Sequence, residues 1–563
     1  MKIRANVIVL FVVAGVVGVA TSVGTVNSFA KTDNRNLTSN ADAHAPADAS
    51  DNGQAETQSS TTSSTVNVLT YHNDIERTGR NSAEKILTWS NVKSSGFGKV
   101  GFLSVDGLVD AEPLYVSNLT VKGGTHNVVF VVTEHDSAYA FDADTFTQLW
   151  QVTALGAKES TSDNRGCGQV SPEIGITSTP VIKFDIGGRD VMYLVAMSKD
   201  SSGNYYQRLH ALDITTGAEI PGSPTTIQAT FPNQSGETTF DPKQYKERAA
   251  LLFLNGEVYT SWASHCDDGP YTGWVMGYNA STLKQESVLN VTPNGSDGAI
   301  WMAGAGLASD GEGNIYLLDA NGTFDDTLNS SGFPINADYG NGFLKLSASG
   351  KKLAVADYFN MYNTTAESNG DEDLGSGGAL VLPNFEDASH NIWKLAVGAG
   401  KDGNIYLVNR NLMGKFNTQN DDGIYQEIDN VLAGGVWAMP AYFKNTIYYG
   451  AVGDTLKAFS IVDAKLVPAP ASQTSTSFAY PGTTPSISAN DTSSGIVWVV
   501  ENHGGTGVLH AYEASNLTIE LYNSSQAGSR DSFSDNKFVT PMIANGKVFV
   551  GTPAGVTVFG LLP

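Results

Sequence analysis

Histidines, carboxylates, amides and cations gather in the stretches between apolar runs. They are His135 and Asp136; Arg165, Cys167 and Glu173; Ser264, His265, Cys266, Asp267 and Asp268; Asn294 and Asp297; Asn321 and Asp325; Lys401 and Asp402; Asn502 and His503. A divalent cation such as Ca2+ needs several oxygen ligands, and general acid–base chemistry needs a His or carboxylate within hydrogen-bond reach. Either use requires convergence of groups far apart in sequence. Turns also employ Asp, Asn and Gly for backbone reasons, and that reading competes at each position. Glu173, in Ser-Pro-Glu-Ile-Gly-Ile-Thr-Ser-Thr-Pro, precedes an apolar run and is the leading candidate; His265 beside Asp267 is second. The candidate binding set is His135, Asp136, Arg165, Glu173, His265, Asp267, Asn321, Asp325, Lys401 and His503, with no catalytic or metal-ligand roles assigned.

Cys167 and Cys266 are the only cysteines. Neither has a partner at zinc-ligand spacing, and a disulfide between them is the expected state of an exported chain. Closing a loop of that length contributes on the order of 4 kcal/mol in the chain-entropy picture. No Gly-x-Ser-x-Gly elbow, His-Glu-x-x-His or phosphate-binding Gly-x-x-x-x-Gly-Lys-Ser/Thr occurs.

The elements that must position these residues are short strands. Apolar runs recur at 128–133, 191–196, 258–262, 315–318, 395–398, 447–450, 496–500 and 548–551. Several are preceded by a run opening on proline, as at Pro113, Pro180, Pro440, Pro485 and Pro541. Many are followed by a strand with a small-x-acid ending: Ala140-Phe141-Asp142, Ala211-Leu212-Asp213, Ala511-Tyr512-Glu513. Recurrence at this scale signals a repeat fold. The expectation is all-β: an eight-bladed β-propeller of four-stranded antiparallel blades, with seven blades the alternative. The last unit lacks an outer strand, and a spare run at 99–105 is expected to supply it and close the ring. The long links (154–175, 229–248, 264–273, 320–342, 358–377) then fall on one face, where any site belongs.

The endings Ala211-Leu212-Asp213-Ile214-Thr215-Thr216-Gly217 and Ala140 to Trp150, with Gly400-Lys401-Asp402-Gly403-Asn404-Ile405-Tyr406-Leu407, resemble the repeat of pyrroloquinoline-quinone (PQQ) propellers of exported bacterial type. The resemblance spans 66–563. It implies one of two family roles, a quinoprotein dehydrogenase using PQQ with Ca2+ or a cell-envelope assembly scaffold. The dehydrogenase branch has an adjacent Cys-Cys pair that this chain lacks. Its carboxylate and aromatic roles would fall to Glu173, Asp325 and Trp301 or Trp437, though no motif assigns them.

Lys2 and Arg4 precede an apolar run over 7–20 and small residues up to Ala30, which reads as a signal peptide, 1–30. An uncleaved membrane anchor is the lesser alternative. Residues 31–65 are Ser, Thr, Asn, Asp and Ala-rich and read as a disordered linker. A net charge of −24 argues against a nucleic-acid partner. The expectation is an exported protein, periplasmic or extracellular, with no membrane span in the mature chain. Its elaborated face binds a carbohydrate, an envelope component or a protein without catalysis.

Overall fold

In the computed structural model, which describes residues 65–563, eight mainly antiparallel sheets follow one another along the chain and form an eight-bladed β-propeller. The expected signal peptide, and the expected linker up to residue 64, lie outside the described residues. Blade 1 shows the pattern, with strands Leu114–Val121, Gly124–Val132, Ser137–Asp142 and Gln148–Thr153 paired in that order. The inner strands of blades 2 to 8 are Val181–Lys183, Leu252–Leu254, Ala308–Ser309, Leu380–Val381, Ala441–Phe443, Ser486–Asn490 and Met542–Ala544. Second strands are β-branched and aromatic because both faces are covered by neighbouring blades; Val128, Val129, Val191, Val258, Ile315 and Val497 are fully buried.

The ring closes as expected. Phe97–Ser104 pairs antiparallel with Gly555–Leu561, from Phe97 opposite Leu561 to Ser104 opposite Gly555, and completes blade 8. The strand begins two residues earlier than the sequence suggested, because Phe97 fills a buried position against Trp498 and Tyr522.

The small-x-acid ending is structural. Asp142 accepts the backbone N–H groups of Asp144 (2.9 Å) and Thr145 (2.7 Å), and Asn279 does the same for Ser281 and Thr282. Side-chain acceptors of this kind stabilise a turn locally. The turn then receives the neighbouring blade: Trp150 donates its indole N–H to the Ile214 carbonyl at 2.9 Å. Gly217 has φ +74, and a Cβ there would come within 2.9 Å of the Trp150 ring, so glycine fits for two reasons.

The axial channel is filled by residues 66–81, which the strand pattern did not announce. These residues touch all eight inner strands or the residue just before them. Val68 exchanges two 2.8 Å backbone bonds with Tyr115 in blade 1, and Ile182 in blade 2 donates to the Leu69 carbonyl. Arg77 reaches the carbonyls of Leu251 and Leu307 in blades 3 and 4. The carbonyls of Glu76, Thr78 and Gly79 accept from Val381, Tyr442 and Ile487 in blades 5, 6 and 7. Asn81 donates its side-chain amide to Ile543 in blade 8. Arg77 is fully buried and also donates from Nη1 to Thr70 Oγ1, the Tyr71 carbonyl and the Asp74 carbonyl, so every nitrogen of its guanidinium is engaged.

The link lengths show a further departure. Most elaboration does lie on one face, but blade 5 carries two long links, 382–394 and 410–425, on the opposite face. One of them contains its own two-stranded ribbon, Phe385–Glu386 with Ile392–Trp393.

Candidate functional site

Four aromatic side chains from four different links meet at the centre of the elaborated face. Trp301 comes from the link into blade 4, Trp437 from that into blade 6, Tyr480 from that into blade 7, and Phe538 from that into blade 8. Trp301 and Phe538 stand edge to face with ring centroids 5.3 Å apart and an 84° interplanar angle. Phe538 and Tyr480 repeat the geometry at 6.0 Å and 86°, and Tyr480 meets Trp437 at 5.6 Å. Blades 4 and 8 are opposite in an eight-membered ring, so a contact between their entry links lies on the axis.

The backbone is bent to achieve this. Met302, Ala303 and Gly304 are consecutive residues at φ 45, 52 and 95. Two adjacent non-glycine residues in the left-handed region cost about 1–3 kcal/mol each and persist only where the surroundings demand them. Here Met302 is fully buried, and a Cβ on Gly304 would lie 2.9 Å from the Arg248 guanidinium.

Beneath the aromatics lies a buried ionic layer. Lys246, Glu247 and Arg248 are 1%, 5% and 3% exposed. Arg248 lies 5.8 Å from the Phe538 ring centroid and donates to the Thr177 carbonyl at 3.3 Å. Burial, and then Arg248, push Lys246 down to about 8, against the opposing pull of Glu134 and Asp110. Glu134 accepts from Gly175 N–H and Thr177 Oγ1, and burial followed by Asp110 holds it well above the carboxylate range. On the other side Lys401 lies 2.5 Å from both Asp371 and Asp373, while burial raises neighbouring Asp319.

The residues singled out from sequence divide into pairs and solitary groups around the rim. His135 Nδ1 lies 2.9 Å from Glu173 Oε1, and that bond raises the histidine pKa. Glu173 also accepts from Thr161. Glu173–Ile174 pairs with Glu159–Asp163, which pairs with the end of blade 2's second strand on the same edge as the inner strand Val181–Lys183. Asp136 is buried without a partner for either carboxylate oxygen among the described residues, and burial raises its pKa. Arg165 lies over the Tyr205 ring at 4.8 Å and near Asp163. His265 is buried, which takes it down to about 3; it does not pair with Asp267, whose carboxylate accepts from Tyr271. Asn321 donates to Asp371, so it joins Lys401 in one network. Asp325 accepts the Thr327 and Asn336 backbone N–H groups, a turn role. His503 is mostly exposed, 3.6 Å from Glu501.

Cys167 and Cys266 form the expected disulfide, pinning the link into blade 2 to a loop of blade 3. No group of three or more His, Cys, Asp or Glu side chains converges to hold a metal among the described residues. Sequence reasoning passed over Phe538, Tyr480, Lys246 and Arg248. Lys246-Glu247-Arg248 did carry a signal, a charged triplet directly ahead of the apolar run 249–254.

No family model matches the chain, and no curated relative matches it. Among solved structures it is similar to the quinohemoprotein alcohol dehydrogenase of Comamonas testosteroni, with 13% identity and a TM-score of 0.57 over 88% of this chain and 80% of that one. The quinohemoprotein alcohol dehydrogenase ADHIIG of Pseudomonas putida HK5 gives 13% identity and 0.55 over the same shares. At this identity the likeness shows the fold alone, an eight-bladed β-propeller.

Proposed function

We propose that this is an exported, non-catalytic binding propeller that holds another protein of the cell envelope at the centre of its elaborated face. The observation that carries the reading is the closed axis. Phe538 stands edge-on between Trp301 and Tyr480 on one side, and residues 66–81 fill the channel on the other. Aromatic and Arg-rich patches that are partly buried supply most of the energy of protein interfaces, and Tyr480 is 49% exposed at the middle of this one. Export is supported by the apolar run 7–20 behind Lys2 and Arg4 and by the disulfide.

The rival reading, a dehydrogenase with PQQ and Ca2+, was tested against the residues present. A planar quinone needs a parallel-faced slot, whereas the axial rings meet at 71° to 86°. Two of the buried acids are faced by a lysine already, Glu134 by Lys246 and Asp373 by Lys401. The ring geometry favours the binding reading over a quinone slot at the axis. Titration of the full chain with PQQ and Ca2+, followed by quinone absorbance and melting temperature, tests this directly. No change at micromolar cofactor is expected, and saturable binding sensitive to Trp301→Ala would reverse the assignment. For the partner, a photo-crosslinking residue at position 480 in the native host is expected to give a discrete protein adduct that one at position 519 does not.

A further inference from the structure

The long links of blade 5 build a cleft of about 530 Å3 on the face opposite the aromatic cluster. Its walls come from 387–393, from 409–412 and 423–425, and from the blade 6 turn at 463–465. Trp393 and Tyr425 lie side by side inside it, ring centroids 4.6 Å apart at 47°, and Leu412, 63% exposed, faces them. Ile392 and Val462 stand at the rim, 59% and 60% exposed.

The charged side chains of the cleft are oriented by neutral partners. Asp387 accepts from the Trp393 indole N–H at 2.9 Å and from the backbone N–H groups of Ser389 and Asn391. Asp463 accepts from the Ala388 N–H with one oxygen. Lys465 lies 3.4 Å from the Tyr425 ring centroid and donates to the Tyr425 carbonyl. The side chains Asp387, Asp463 and Lys465 are held in place by these contacts and form no ion pair with one another, and a purely apolar segment would bury these polar groups at a cost. What remains open is uncharged or acceptor capacity: the Asn409 side-chain N–H groups, the Ser389 hydroxyl and the second Asp463 oxygen, none of which has a partner among the described residues. Aromatic faces beside such groups match a molecule with C–H faces and hydroxyl edges.

We propose that this cleft binds a neutral glycan, one pyranose ring stacked on Trp393 beside Tyr425 with its hydroxyls on Asn409, Ser389 and Asp463. The site is separate from the axial aromatics and does not depend on their role. The test titrates the full chain with cellohexaose, xylohexaose, mannohexaose, maltohexaose and chitohexaose, read by calorimetry and tryptophan fluorescence. At least one is expected to bind saturably below about 1 mM, within the range of weak specific sites. Trp393→Ala and Asn409→Ala should each weaken that binding about tenfold, the scale of one lost stacking or hydrogen-bonding group. Ile519→Ala, an exposed change on the outer strand of blade 7, should leave it unchanged. Asn409→Ala changes a surface amide only, so it reads binding apart from folding. The proposal is overturned if none of the five binds, or if binding survives both cleft variants. It is equally overturned if Leu412→Asp abolishes a concentration-dependent self-association, which would make the cleft a protein interface.

Discussion

Trp301 and Phe538 meet edge to face at 5.3 Å although they enter from opposite sides of the ring. Their contact, with Tyr480 against the other side of Phe538, closes the axis over Arg248. Phe538→Ala should therefore cost about 1–3 kcal/mol, the loss of two aromatic pairs and a cation–π contact at a half-buried site. Urea denaturation measures the loss. Acrylamide quenching of tryptophan should rise at the same time, because Trp301 becomes accessible to solvent. A stability change without a change in quenching would place Phe538 away from the axis.

Arg77 is the hub of the channel plug, and its five donor contacts run to Thr70, Tyr71, Asp74, Leu251 and Leu307. Arg77→Met leaves buried carbonyls of two blades without donors, which should cost about 3–5 kcal/mol. Arg77→Lys should recover less than half of that, because an ammonium offers three donors at one point where the guanidinium spreads five across a plane. Limited proteolysis is the second readout. Both variants are expected to be cut ahead of residue 81 faster than the parent.

The disulfide ties two links of the elaborated face across a sequence separation of 99 residues. Cys167→Ser with Cys266→Ser should lower stability by about 2–4 kcal/mol, the range for cross-links of this span. Blade strands are expected to persist, since neither cysteine lies in one. Intact-mass measurement after alkylation of the unreduced protein should show no labelled thiol.

Fold and site were legible to different depths, for a physical reason. Blade strands repeat because each must bury both faces against the same kind of neighbour, so Val128 and Val191 carry the pattern openly. The closing strand Phe97–Ser104 was visible as a missing piece. The plug was not. Residues 66–81 bond to the blades largely through backbone carbonyls and N–H groups, which leave no trace in side-chain periodicity. At the site, Trp301 and Trp437 were named as an aromatic floor and do lie at the axis, but Phe538 reaches it through a left-handed backbone at φ 59 that sequence spacing does not reveal. His265 and Asp267 failed to pair for a similar reason. Cys266 and Asp267 both adopt positive φ, which turns the neighbouring side chains apart.

The buried acids make stability fall as pH rises above the carboxylate range. Burial raises Glu112 from 4.5 to about 8, and burial with Asp74 raises Glu76 to about 7. Asp136, Glu247 and Asp319 shift upward for the same reason. Folded protein then holds protons that the unfolded chain has released. This contribution is complete below the unfolded value near 4.5 and is lost as pH climbs through the folded values toward 8. His510, raised because Glu501 and Glu520 outweigh its burial, loses its share above 6.5 in the same direction. On the acid side Glu501 and Glu520 are held below 4.5, and their contribution disappears as pH falls through those lowered values. Urea midpoints should therefore peak at about pH 5–6 and decline by pH 8. Glu112→Gln keeps an acceptor for the His72 N–H, which Glu112 now receives at 2.8 Å, but carries no titrating proton. Its stability should match the parent near pH 5 and exceed it at pH 8, by up to on the order of 4 kcal/mol. Parallel profiles for parent and variant would mean that Glu112 titrates normally and that the plug is hydrated rather than dry.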